Sequence, residues 1–277
     1  MTTRPTDTDR KKGPLKVDLH CHTSADPVDN LPLDIVSTIE RAAEFGYDAI
    51  AMTHHDAYYT HTEEALEASE RTGVLVLSGV EATLDENGHV LIINCGSEVE
   101  GIRTLDDLTC VRRPEHLIIA AHPYYPSFGL GEQLLERYAS LFDAIEWSHF
   151  WNHYTIRPNL RAHQFCQRHG IPLVGTGDIH LPEQFNRTYA LVNAEKDPAS
   201  ITEAIRAGQV ELVTEPLRFY EMAAFFAKLT WRNHHSSAKF WKQVTREMRV
   251  RGSAHCPSGS GLIIPDPGRL ALTPLRA

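Results

Sequence analysis

An α/β fold whose strands close, or nearly close, into a barrel is what this 277-residue sequence predicts. Short β-rich apolar runs alternate with amphipathic stretches, the pattern of a mostly parallel sheet covered by helices. Seven or eight such runs fall within roughly 200 residues, which suits a single barrel domain. Only the turn at 85–88, "DENG", reads as a hairpin.

The strands are expected at 15–19 (LKVDL), 48–52 (DAIAM), 74–79 (VLVLSG), 89–95 (HVLIINC), 116–121 (HLIIAA), 143–147 (DAIEW), 171–177 (IPLVGTG) and 188–192 (TYALV). Between them, 31–46 places apolar residues at 35, 36, 39 and 42–43 and ends on glycine, a helical spacing with a stop signal. The segments 62–73, 130–141, 156–169 and 199–207 repeat that pattern. The alternation stops near 217, so the chain divides into a flexible tail at 1–14, a barrel at 15–216 and a basic, aromatic extension at 217–277, partly disordered. Within the extension, a terminal helix across the barrel floor, a contact with anionic lipid or nucleic acid, and an oligomer contact are all open readings.

Composition narrows the function. The net charge of -9 is unevenly spread. After Pro216 ten Lys and Arg stand against three Asp and Glu, about +7, which leaves about -16 for the rest. An acidic body repels polyanions, so a small anionic phosphorylated substrate is favoured over nucleic acid as partner. No stretch is long and apolar enough to span a bilayer, and the polar N-terminus lacks an apolar leader. Five scattered cysteines without CxxC spacing fit reduced thiols and a cytoplasmic location.

The strand ends carry the chemistry. The first delivers His20 and His22, with Cys21 turned to the opposite face. The second delivers His54, His55 and Asp56, and the third ends at Glu81. His89 opens the fourth, His122 follows the fifth, His149 and His153 follow the sixth, and Asp178 and His180 follow the seventh. Imidazole and carboxylate are the usual ligands of zinc, manganese and iron, and their recurrence at six strand ends points to bound metal. No glycine-rich phosphate loop is present in the sequence, and "GTGDIH" at 175–180 does not make a dinucleotide fingerprint.

In this order, H-x-H, T-x-H, G-x-E, H, A-H-P and D-x-H, the motifs resemble the polymerase and histidinol phosphatase (PHP) family over about residues 15–216. The resemblance implies a distorted (β/α)7 barrel, TIM-like in plan, holding two or three divalent ions. It places His20, His22, Glu81 and Asp178 on one ion, and Glu81 as a bridge with His89 and His122 on a second. A third would take His55, His180 and Asp26, with Asp29 as the alternative carboxylate, and His149 is a further candidate ligand. One departure is T-H-H where the family has T-D-H, so His54 replaces an acid. The implied activity is phosphoester hydrolysis by a metal-bridging hydroxide, with Glu81, Asp178 and His180 at the reacting centre. Arg187 is the preferred phosphate contact, ahead of Arg157, Arg112 and Arg113. The alternatives are a nuclease acting on nucleic acid ends and a non-catalytic metal-binding module.

Overall fold

The computed structural model describes residues 13–126 and 128–234. The tail at 1–12 and the segment 235–277, with the disorder expected there, lie outside the described residues. In chain order the elements are β1 (Leu15–Cys21), α1 (Ile35–Glu44), β2 (Ala49–Met52), α2 (Glu63–Thr72), β3 (Leu75–Leu84), β4 (Gly88–Ile93), α3 (Leu105–Val111), β5 (Leu117–Ala120), α4 (Glu132–Arg137), β6 (Ala144–Ser148), α5 (Arg157–His169), β7 (Leu173–Thr176), β8 (Thr188–Val192), α6 (Pro198–Arg206), β9 (Val210–Thr214) and α7 (Phe219–His234). Helix starts are set by side-chain caps: Asp34, Thr62, Thr104 and Asp197 accept from the backbone N–H groups of Ser37, Ala65, Asp107 and Ser200.

All eight expected strands form. β9 and α3 are additional to the elements expected from the sequence. β9 is a half-buried edge strand, so its apolar alternation is weak. α3 has only seven residues, too few to show a helical period, although its Thr104–Asp107 capping box was a readable start signal.

The nine strands form one sheet in the order β7-β6-β5-β4-β3-β2-β1-β8-β9. β4 and β8 run against their neighbours, so the pairings divide evenly between parallel and antiparallel, fewer parallel than expected. The sheet rolls into a nearly closed barrel. At the closure a Cβ on Gly175 of β7 would lie 2.3 Å from Leu212 of β9 and 2.8 Å from the Tyr189 carbonyl of β8, so only glycine allows the two edges to meet. Just beyond β7, Ile179 pairs in parallel with Cys21 of β1; its N–H donates to the His20 carbonyl and its carbonyl accepts from His22, both at 2.9 Å. The barrel is thereby drawn shut at the end that carries the histidines.

Val17, Leu19, Leu77, Leu91, Ile93, Leu117, Ile119 and Val174 fill the interior with Ile201 and Ile205 of α6, all at most 2% exposed. Burial of each such side chain stabilises the fold by about 1.5–3 kcal/mol. α6 closes one end: Arg206 donates to the carbonyls of Pro114 and His116, just ahead of β5, and to Asp143, just ahead of β6.

α7 lies at the other end. Glu221 pairs with Arg187, Lys228 with Glu183, and Phe225 packs on His149 and Phe150. The extension therefore begins with a helix across the barrel mouth, not across its floor. The reason is local, because Leu217 hydrogen-bonds to the Trp151 carbonyl and steers the chain over the loop after β6. A chain ending at Pro216 is expected to lose at least about tenfold in kcat/KM on a small phosphoester, since it uncovers His149 and frees the loop after β1. Full turnover by such a folded truncation would show that α7 is dispensable.

Candidate metal centre

β1 carries the first two imidazoles inward through a bulge. Asp18 is in register with Ile50 and Cys21 with Met52, so β1 spends one residue more than β2 over that span. The extra residue leaves Cys21 on the α1 side with Ile39 and Met52 and turns His20 and His22 into the barrel. The chain beyond β2 keeps pairing with β3: Glu81 donates its N–H to the His54 carbonyl at 3.1 Å, and Asp56 donates to the Glu81 carbonyl at 2.9 Å. That pairing sets His55 beside Glu81. His89 stands opposite Thr83 across the β3–β4 hairpin. His122 and Asp178, just past β5 and β7, both adopt left-handed backbone angles, φ 27° and 43°, a conformation costly for side-chain-bearing residues and common at functional sites.

Glu81 is the hub. Its Oε2 lies 3.2 Å from the Nε2 atoms of His20, His22 and His55. Its Oε1 lies 2.6 Å from His89 Nδ1 and 3.0 Å from His122 Nε2. Asp178 Oδ1 is 3.4 Å from His20 Nε2, 3.5 Å from His22 Nε2 and 3.2 Å from His180 Nδ1. Ligand atoms that share one ion at bonds near 2.1 Å sit about 3.0–3.4 Å apart. Among the described residues, four three-residue groups bring their ligand atoms within 4.8 Å of one another: His20/His22/Asp178, His20/Glu81/His122, His55/Glu81/His89 and His22/His55/His180.

The donor chemistry fits divalent cations. His20 Nε2, His22 Nε2 and Asp178 Oδ1 are buried and converge, yet none has a hydrogen-bond partner among the described residues. Behind them, Glu146 Oε1 takes His20 Nδ1 at 3.2 Å, and Asp26 Oδ2 takes the Nδ1 atoms of His22 and His55 at 2.8 and 3.0 Å. A proton held on Nδ1 turns the Nε2 lone pair toward Glu81 and Asp178, so lone pairs face carboxylates. Only a cation among them, or a second proton on each ring, relieves that arrangement. Accordingly, although burial alone would lower them, the surrounding carboxylates Asp178, Glu81 and Glu146 push His20 well above the usual imidazole range. His22 and His180 rise as well against the same burial. Glu81 and Asp178 are held well below the carboxylate range, burial opposing and the imidazoles prevailing.

Two supporting acids escaped the sequence reading. Glu146 is fully buried; besides His20 it receives the His122 N–H at 2.6 Å and the Thr176 hydroxyl. Asp18, also fully buried, accepts from the Gly177 and His20 N–H groups, and a Cβ at Gly177 would fall 2.5 Å from its carboxylate. Burial pushes Asp18 up to about 7. A charged residue inside an apolar strand run, as in DAIEW and LKVDL, was the available signal.

Three expected roles change. Asp26 lies on the Nδ1 side of His22 and His55, away from Glu81, where it orients two rings; the carboxylate beside His180 Nε2, at 3.0 Å, is that of Asp29. His149 joins none of the four groups: it accepts from Gln184 Nε2 at 2.9 Å, and burial pushes it down to about 4. Arg187 is taken by Glu221 at 2.6 Å, so it anchors α7, while Arg112 pairs with Asp143 at the α6 end. His54, in the place of the family's acid, shares a hydrogen bond with Thr23 at 2.8 Å, and burial pushes it down to about 4. Cys21, Cys95 and Cys166 are free and buried. Among the described residues no helix is long and apolar enough to cross a membrane.

A family model described as PHP-associated matches residues 157–210, the stretch that contains Asp178 and His180. Over 73 residues, 26% of this chain, the sequence is 40% identical to the PolC-type DNA polymerase III of Caldanaerobacter subterraneus subsp. tengcongensis. In these stretches the chain is similar to PHP proteins. The match covers only 5–6% of the length of these polymerases, so the chain is similar to a small part of them. In fold it is similar to a Bacteroides vulgatus two-domain protein containing a predicted PHP-like metal-dependent phosphoesterase (TM-score 0.57, 19% identity, 78% of this chain and 69% of that one). It is also similar to the lesion-specific endonuclease PfuEndoQ of Pyrococcus furiosus (TM-score 0.50, 17% identity, 72% and 57%). The PHP barrel expected from the motif order is therefore the fold observed.

Proposed function

We propose that this protein is a metal-dependent phosphoesterase acting on a small anionic phosphorylated metabolite or nucleotide. The observation that carries the reading is the convergence of His20 Nε2 and His22 Nε2 on both Glu81 and Asp178 Oδ1, with the two ring nitrogens and Asp178 Oδ1 buried and without a hydrogen-bond partner among the described residues. His20, His22, Glu81 and Asp178 would hold one ion, and Glu81, His89 and His122 a second. His55, His180 and Asp29 would hold a third. When bound, zinc, manganese or iron ions supply Lewis acidity toward phosphoryl oxygens and lower the pKa of water toward neutrality.

The chain's own groups do the rest. Glu146 and Asp26 fix the imidazole tautomers, Glu81 presents one oxygen to each neighbouring set, and Asp18 locks the Gly177 turn that presents Asp178. α7 narrows access, which supports a small substrate over duplex nucleic acid. Incubation in water enriched in the heavy oxygen isotope, across a screen of sugar phosphates, bisphosphates and nucleotides, should place the label on released phosphate. Label in the alcohol would mean attack at carbon and would refute the mechanism. The second reading, a nuclease acting on nucleic acid ends, draws on the fold shared with PfuEndoQ and on the basic extension. Turnover of single-stranded ends well above that of every small phosphoester would favour it.

A further inference from the structure

The last described turn of α7 clasps the loop after β1 through four hydrogen bonds. Arg232 Nε donates to the Asn30 carbonyl at 2.7 Å, and Asn30 Nδ2 returns one to the Arg232 carbonyl at 3.3 Å. The Asn233 amide spans two successive residues. Its Oδ1 accepts the Asn30 N–H at 2.9 Å, and its Nδ2 donates to Asp29 Oδ1 at 2.5 Å. The other oxygen, Asp29 Oδ2, is the one 3.0 Å from His180 Nε2. Among the described residues the Asp29 carboxylate has hydrogen bonds to Asn233 and His180 only, and its side chain is 12% exposed.

We propose that Asn233 is a positioning residue of the metal centre, holding Asp29 against His180 and so setting the affinity for the ion that Asp29 and His180 share. This rests on the three-ion reading above. The physical argument is preorganisation. Asp29 stands in an irregular loop between β1 and α1, where its carboxylate would otherwise rotate freely. A donor on Oδ1 fixes the rotation and aims Oδ2 at the imidazole, so the ion no longer bears the cost of ordering that ligand. The donor comes from 204 residues away, on a helix that other contacts hold in place: Lys228 on Glu183, Glu221 on Arg187, and Phe225 on Phe150. Removing the Asn233 amide therefore removes the aim and leaves the helix seated.

The test is calorimetric titration of Mn²⁺ into the chelator-stripped full-length chain, with thermal unfolding as a fold check. Asn233→Ala should weaken one ion by about 10–100-fold and leave the others unchanged. Lys228→Ala, which removes a different anchor of the same helix, should leave all ions as in wild type. Asp29→Ala should abolish the same ion, and adding Asn233→Ala to it should weaken the remaining ions no further, since the proposed effect of the amide on the ion runs through Asp29. Wild-type affinities in Asn233→Ala, with one ion lost in Asp29→Ala, would overturn the inference and leave the three-ion reading standing. No ion lost in Asp29→Ala would overturn both. Equal weakening by Lys228→Ala and Asn233→Ala would reduce Asn233 to a helix anchor and overturn the inference alone.

Discussion

Glu81→Gln is expected to lower kcat/KM on a phosphoester by on the order of 10³-fold or more, about 4 kcal/mol of transition-state stabilisation. The carboxylate presents Oε2 to His20, His22 and His55 and Oε1 to His89 and His122, so each oxygen serves a different set of rings. Glutamine keeps the shape but replaces one of those oxygens with an N–H donor. Whichever way the amide turns, one set gains a hydrogen that repels a cation, and the charge joining the two sets is lost. Loss of a single peripheral imidazole should cost less: His89→Ala removes one donor from one group and leaves Glu81 charged, an effect of about 10–100-fold. Steady-state kinetics with metal content measured on the same samples separates the two. Wild-type turnover by Glu81→Gln beside an inactive His89→Ala would remove Glu81 from the bridging position.

The second large effect is the pH dependence of the protein stripped by a chelator. His20, His22 and His180 have folded pKa values raised well above the unfolded value near 6.5. Stability from a raised group is fully present below the unfolded pKa and is lost as pH rises through the folded one. Glu81 and Asp178 are shifted the other way; their contribution is present above about pH 4 and lost as pH falls through their depressed values. The stripped protein should therefore lose thermal stability as pH climbs above about 6.5, when the rings give up the protons that balance the buried carboxylates. Bound ions replace those protons, so the gain in Tm on adding metal should grow from pH 6 to pH 9. A gain that stays constant across that range would mean that the ions do not occupy the imidazole–carboxylate cluster.

Much of the barrel and its ligands was legible because both follow from short-range pattern. Apolar runs of four to seven residues marked the strands, and polar residues that have no place in a core marked the strand ends. His20, His22, His55, Glu81, His89, His122, Asp178 and His180 are brought into one cluster. What stayed hidden depends on contacts between distant segments. Period-two alternation alone would set Asp18 beside His20; the bulge in β1 lets Asp18 brace Gly177 while His20 faces Glu81, and nothing local announces it. Glu146 was read as one more residue of an apolar strand. The choice between Asp26 and Asp29 turns on which carboxylate the loop after β1 aims at His180, and that loop is held by α7. Arg187 looked available for phosphate because its partner, Glu221, lies 34 positions further along the chain.

The pairing of Ile179 with the end of β1 also has a temporal meaning. His20 and His22 are made early, but the segment that pins them and supplies Asp178 is 157 residues behind in the Ile179–His22 bond. At 5–20 residues per second a ribosome needs about 8–30 s to cover that distance. Throughout that interval the nascent strand displays imidazoles with neither a barrel wall nor an opposing carboxylate from β7. Glu81, His55 and His89 emerge in between, so the half of the centre built on Glu81 is assembled first and the half built on Asp178 last. Maturation of this protein should accordingly run in a fixed sequence during synthesis, with a partly built chelating surface exposed before the fold can close over it.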